Sequence, residues 1–286
     1  MKLLILTALV LSVLLVFQHS TSAQSSTKSV QSQSEAQAKQ ELNEAARAYR
    51  EGNFAEAQLH SERALQLDPE SKVAPLFIAR TIHAQYKPRD FTPENVAKAH
   101  EAIFAYQRIL VRSPNDDEAY KAIAYLYDAL KEVELLRDWI LRRAGDVSIA
   151  NDKRAEAYAV LASKDWDCSF KITELPSHKV TTIDGKKAQV SYRMPGDRAE
   201  FEKAKECANR GLEIANLAIA LAPENESAWS YKTNILFELA KLAEMSRDLQ
   251  QKTELLRQYA EALEQTTKLA KANQAKQRNP ADERVP

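Results

Sequence analysis

Apolar positions recur along most of this chain at intervals of three and four residues, the spacing of one helix face, and the helical stretches end alike. An apolar helix end runs into proline at Ala64–Pro69, at Ile109–Pro114 and again at Ala218–Pro223. A new helix opens within a few residues, with Tyr120 six residues after Pro114 and Trp229 six after Pro223. Proline cannot continue a helix, so each phrase stops one helix and sets up the next. The pattern predicts helices over about 36–51, 54–67, 72–87, 94–112 and 115–130, then 132–144, 151–167, 198–221, 226–245 and 248–274. Ser71, Asn115 and Asn151 are the expected caps, and Thr92-Pro93-Glu94 reads as a cap and first turn. The last helix is highly polar from Gln250 to Lys271, as a terminal cap over an apolar face must be.

The helices are spaced as pairs. Small or fairly small residues fall inside the first helix of each pair at Ala45, Ala79, Ala124, Ala162 and Thr233, with gaps of 34, 45, 38 and 71 residues. A unit of about 34 residues accounts for these gaps if the excess is inserted sequence. The second helices carry their own ladder: Ala57, Ala102 and Gly211 each precede a closing proline by 12 residues. Small side chains at such places let two helices approach closely.

With these residues the chain resembles the tetratricopeptide-repeat family. The family's first-helix phrase appears as Tyr120-x2-Ile123-Ala124-x2-Tyr127 and, partly kept, as Tyr158-x2-Leu161-Ala162-x2-Asp165. Its inter-helix turn appears as Glu51-Gly52-Asn53-Phe54. The resemblance spans residues 36 to 245 and implies an all-α fold, a right-handed superhelical stack of about five helical hairpins. The third unit departs from the pattern, with bulky Leu136 and no closing proline, and the last has Thr233 for alanine.

Two insertions interrupt the repeat. Gln85–Pro93 is predicted as an ordered loop, with room for the preceding helix to gain a turn before Pro88. The second, over 168–197, alternates apolar and polar residues on both sides of Asp184-Gly185, the signal of a small β-hairpin in the fourth unit. Cys168 lies six residues after Ala162 and Cys207 four before Gly211. Those landmarks would be 12 apart in an uninterrupted unit, as Ala45 and Ala57 are, which puts one cysteine on each arm at the base of the insertion. A disulfide there would contribute up to ~4 kcal/mol on the chain-entropy model; two buried free thiols are the alternative.

Composition alters this picture mainly at the ends. Lys2, the apolar run Leu3–Phe17 and Thr21-Ser22-Ala23 read as a signal peptide over residues 1–23, with an uncleaved anchor as the alternative. Residues 24–35 read as a flexible Ser/Gln linker, 36–274 as the helical solenoid and 275–286 as a disordered tail. The chain is thus expected to be exported, periplasmic or secreted, with no stable membrane span once the signal is removed. A eukaryotic secretory route would make Asn225-Glu226-Ser227 a glycosylation acceptor. The 40 basic and 40 acidic residues leave no basic surplus for phosphates, so nucleic acid is not an expected partner.

Chemistry-bearing motifs are few. Five glycines and no Gly-rich phosphate loop argue against nucleotide binding. No histidine pair has metal-ligand spacing. Asp165-Trp166-Asp167 resembles only a fragment of a calcium loop. No catalytic residue, metal or cofactor is therefore expected, and the chain reads as a non-enzyme. The resemblance implies instead a concave groove lined by the first helices that holds a protein or peptide. By helical phase that face offers Tyr49, Arg80, His83, Lys121, Tyr125, Asp128, Trp166 and Asn234, each of which equally suits inter-helix packing. The family's two-carboxylate clamp is not carried over, because Leu42 and Ala46 occupy its places in the first unit. A second reading gives the role to the β-hairpin, by strand addition to a partner or by self-association.

Overall fold

The computed structural model describes residues 31–184 and 187–278. The expected signal peptide, most of the expected linker and the end of the tail lie outside them. The chain divides after Glu132 into two compact units.

Unit 1 contains α1 (31–50), α2 (Phe54–Leu67), α3 (Val73–Gln85), α4 (Pro93–Arg112) and α5 (Asp117–Ala129). Sequence neighbours from α2 to α5 pack on one another. α1 joins them through Ser34 Oγ, which donates to the Leu67 carbonyl, and through the Glu41–His60 pair at 2.6 Å. Those contacts, with buried Ala38, explain why residues 31–35, read as linker, are helical.

Unit 2 contains α6 (Val133–Gly145), α7 (Asn151–Thr173), β1 (Lys179–Asp184), β2 (Lys187–Tyr192), α8 (Arg198–Leu221), α9 (Glu226–Met245) and α10 (Leu249–Arg278). Consecutive helices pack together here too, and α7 also lies directly on α9, a first helix against the next first helix. α10 runs to Arg278, past the expected end at 274.

Two turn types alternate between the helices. After a first helix, Gly52, Lys131 and Arg247 take positive φ values of 80°, 64° and 61°. Each N–H bonds the carbonyl three residues back, and the following N–H bonds the one five back, as in Lys131 to Asp128 and Glu132 to Tyr127. This is the Schellman closure of a helix end. Only the first was legible as a glycine turn.

After a second helix the chain makes a β-turn closed by Ser71 to Asp68, Asp116 to Ser113 and Asn225 to Ala222. Its second residue is Pro69, Pro114 or Pro223, the position where proline's fixed φ fits. The unit without a closing proline makes the same turn, Ile149 to Asp146, with Val147 in that place. Asp116 rather than Asn115 caps α5, accepting from Ala119 N at 2.9 Å. α7 begins at Asn151 itself, with no side-chain cap from Ala150.

The small landmarks are mostly buried: Ala45, Ala79 and Ala162 fully, Thr233 nearly so, while Ala124 is only half-buried. Gly211 shows what the ladder is for, since a Cβ there would stand 3.0 Å from Ile235 and 3.1 Å from Asp165.

The first insertion is an ordered loop. Asn95 accepts from Lys87 N at 2.8 Å and donates to the carbonyls of Lys87 and Asp90. α3 gains no extra turn, because Tyr86 is extended (ψ 132°) and Lys87 precedes proline. In the second insertion, α7 runs on to Thr173, past the expected boundary at 167, so the insertion is lifted on helical arms. The strands pair antiparallel from Lys179↔Tyr192 to Asp184↔Lys187, which places Asp184 in a strand rather than in the connection. Cys168 on α7 and Cys207 on α8 form a disulfide, Cα to Cα 6.0 Å, at the base of those arms.

Candidate functional site

Six of the expected groove residues fall in unit 1, on α1, α3 and α5. The helices present Tyr49, then Phe77, Arg80 and His83 three residues apart on α3, then Lys121 and Tyr125 on α5. Tyr49 stands edge-on to Phe54 and Phe77, with ring centres 5.3 and 6.0 Å away. His83 lies between Tyr106 and Tyr125, at 5.9 and 5.6 Å. Between these two aromatic groups Arg80 forms a two-pronged pair with Glu118.

That pair raises the Arg80 pKa, and burial holds the His83 imidazole below its ordinary value. Burial also raises the phenols of Tyr86 and Tyr106. The face at neutral pH is therefore aromatic, with neutral imidazole and a compensated guanidinium. Tyr49 and Tyr125 remain 36% and 49% exposed despite these contacts. Lys121 is exposed and reaches Asp117 only at 3.8 Å. Asp128 is exposed near the end of α5, where its backbone carbonyl accepts from Lys131 N.

The remaining two residues lie in unit 2. Trp166 on α7 packs against Phe170 at 5.0 Å and Tyr231 at 6.3 Å, and Asn234 is half-buried on α9.

Glu118, Phe77 and Tyr106 belong to the unit 1 face as much as the expected residues do, but their part depends on cross-helix distances. A cleft of about 660 Å³ lies elsewhere in unit 1, at the proline turns, lined by Leu65, Pro75, Ile78, Arg108, Ile109 and Arg112. It contains none of the expected residues.

A second polar centre lies under the β-hairpin. Lys241, 3% exposed, donates to Glu174 Oε1 and Glu238 Oε1, both at 2.6 Å. Its ammonium lies about 5 Å from the ring centres of Phe170, Tyr192 and Phe237. Thr173 donates to the other Glu238 oxygen at 2.6 Å, and Lys179 to Glu174 at 2.5 Å. Burial pushes the Glu174 carboxyl up, but its bonds from Lys179 and Lys241 outweigh that and bring it to about 2. Tyr192 N donates to Glu244 at 3.1 Å, so side chains of α9 grip both strands directly or through Glu174. The hairpin is thereby held at its base, while Ile183 (77% exposed) and Val190 (44%) further out remain in solvent.

Asp165, singled out as part of a calcium-loop fragment, is instead buried and bound by Arg210 and Arg137. Among the described residues no group of three or more His, Cys, Asp or Glu is placed to share a metal ion. No described helix is long and apolar enough to cross a membrane.

No protein-family model and no curated protein matches the chain. Among solved structures, a MamA double mutant is 14% identical over 84% of this chain and 97% of its own, with a TM-score of 0.41. MamA from Desulfovibrio magneticus RS-1 is 14% identical over 78% and 96%, at 0.34. A tetratricopeptide repeat protein from Parabacteroides merdae is 14% identical over 84% and 93%, also at 0.34. The chain's own elements carry the architecture: two alternating turns, paired helices and first helix on first helix make a helical-hairpin repeat of the tetratricopeptide type, opened once by a disulfide-closed β-hairpin.

Proposed function

We propose that this chain is an exported scaffold that holds a protein or peptide partner on the first-helix face of unit 1. The observation that carries the reading is the aromatic–arginine row of Tyr49, Phe77, Arg80, His83 and Tyr125, drawn from three helices and still partly open to solvent. Tyr has few torsions to freeze and Arg80 is already held by Glu118, so covering them costs little entropy, and these residue types dominate binding hot spots. The Cys168–Cys207 disulfide supports export, since such bonds persist in oxidising compartments.

The test is a photo-crosslinking residue at Tyr125 or Tyr49 in the native host, followed by affinity measurement with whatever is captured. Tyr125→Ala should weaken binding about tenfold or more with an unchanged melting temperature. Equal capture from a crosslinker on the solvent side of α4 would sink the reading.

A second reading gives binding to the β-hairpin, and exposed Ile183 and Val190 favour it. They lie on the same side of the hairpin as anchored Tyr192, by strand alternation. Ile183→Lys would then abolish partner capture or self-association and leave the Tyr125 crosslink unaffected.

A further inference from the structure

Unit 2 carries a surplus of guanidinium at one buried carboxylate. Asp165, 2% exposed, stands on α7 where the repeat pattern has an aromatic residue. Arg210 of α8 satisfies both of its oxygens, with Nε at 3.0 and 3.1 Å and Nη2 at 2.7 Å. Burying this aspartate requires one such fork. Yet Arg137 of α6 adds a second guanidinium on the same Oδ1, through Nη1 at 3.2 Å. Among the described residues Arg137 makes no other hydrogen bond or ion pair, and its side chain is 27% exposed. Glu206, 74% exposed, pairs with Arg210 Nη1 at 3.4 Å. Asp167, the next acid along α7, is engaged by Lys171.

The group of three therefore bears a net charge of +1 and is ordered by a buried anchor, and Arg137 spends only its Nη1 on that anchor. We infer that Arg137 and Arg210, held on Asp165, bind a single carboxylate presented by an acidic peptide segment. A carboxylate neutralises the surplus charge, and its two oxygens match the guanidinium fork. A phosphate would bring an excess of negative charge next to Asp165. Both arginines come from second helices, so this contact is distinct from the first-helix face of unit 1 and does not depend on it.

The test uses the full chain with its disulfide intact. Arginine Nε–H signals are followed by NMR while acetate, then a short glutamate-containing peptide, is added at constant ionic strength. Inorganic phosphate and chloride serve as the comparison arms. The expected result is a saturable shift of the Arg137 signal with both carboxylate probes. In Arg137→Gln the saturable response of Arg210 should weaken by about tenfold or more, one charge-assisted bond being lost.

Arg137→Gln should melt with the wild type, whereas Arg210→Gln, which strips Asp165 of its fork, should melt well below it. No saturable shift, or the same response to chloride, overturns the proposal. Tighter binding of phosphate than of carboxylate overturns the assigned ligand. If Arg137→Gln melts as low as Arg210→Gln, both arginines serve only to compensate Asp165 and the site does not exist.

Discussion

Lys241 sits between Ala240 and Leu242 and is 3% exposed, and two carboxylates meet it there. Replacing it by alanine leaves Glu238 buried and uncompensated. Lys241→Ala should therefore cost about 3–5 kcal/mol in urea unfolding.

Glu174 extends the same argument to pH. Its folded-state value of about 2 lies below the usual 4.5, a difference worth about 3 kcal/mol at most. A depressed carboxylate stabilises the fold above its unfolded value, so this contribution is full at neutral pH. It is lost as pH falls from about 4.5 towards 2. Urea midpoints of the wild type and Glu174→Gln should converge over that window, and a constant gap would refute the assignment. The Glu238–Lys241 spacing is visible in the sequence as a helical i,i+3 pair. That Glu174, 67 residues away, completes it is not, since nothing local links a helix end to a distant helix face.

At the scale of elements, the turns show why some sequence signals were legible and others were hidden. Gly52 announced its turn because glycine takes positive φ at no steric cost. Lys131 and Arg247 make the same closure with a Cβ present, which costs each about 1 kcal/mol. The neighbouring helices hold the geometry, so the residue type need not. Lys131→Gly should then stabilise the chain by less than about 1 kcal/mol, after glycine's added unfolded-state entropy. Gly52→Ala should destabilise it by about 1 kcal/mol. Denaturant midpoints moving in the same direction in both variants would contradict this reading. The proline turns were legible for the opposite reason, because proline suits both a helix stop and the second position of the turn. Val147 shows that the turn forms without it.

At the scale of the whole molecule, a repeat protein is stabilised mainly by contacts between neighbours, so a local perturbation stays local. Reducing the Cys168–Cys207 bond releases a constraint across 39 residues of unit 2. Its loss should cost up to ~4 kcal/mol there. Hydrogen exchange should quicken in α7, α8 and the hairpin, and stay unchanged in α1 to α5. Faster exchange throughout would mean that the chain unfolds as one cooperative body.

The repeat, the turn positions, the insertion and the cysteine pair were all written locally, because periodicity, proline and spacing act within a few tens of residues. Groove residues could be nominated by helical phase, but not their state. Arg80 is engaged by Glu118, Asp165 is claimed by two arginines, and an aromatic cage closes on Lys241. Each depends on side chains from separate helices arriving within about 3–6 Å of one another. Such distances follow from packing, which no single segment of the chain encodes.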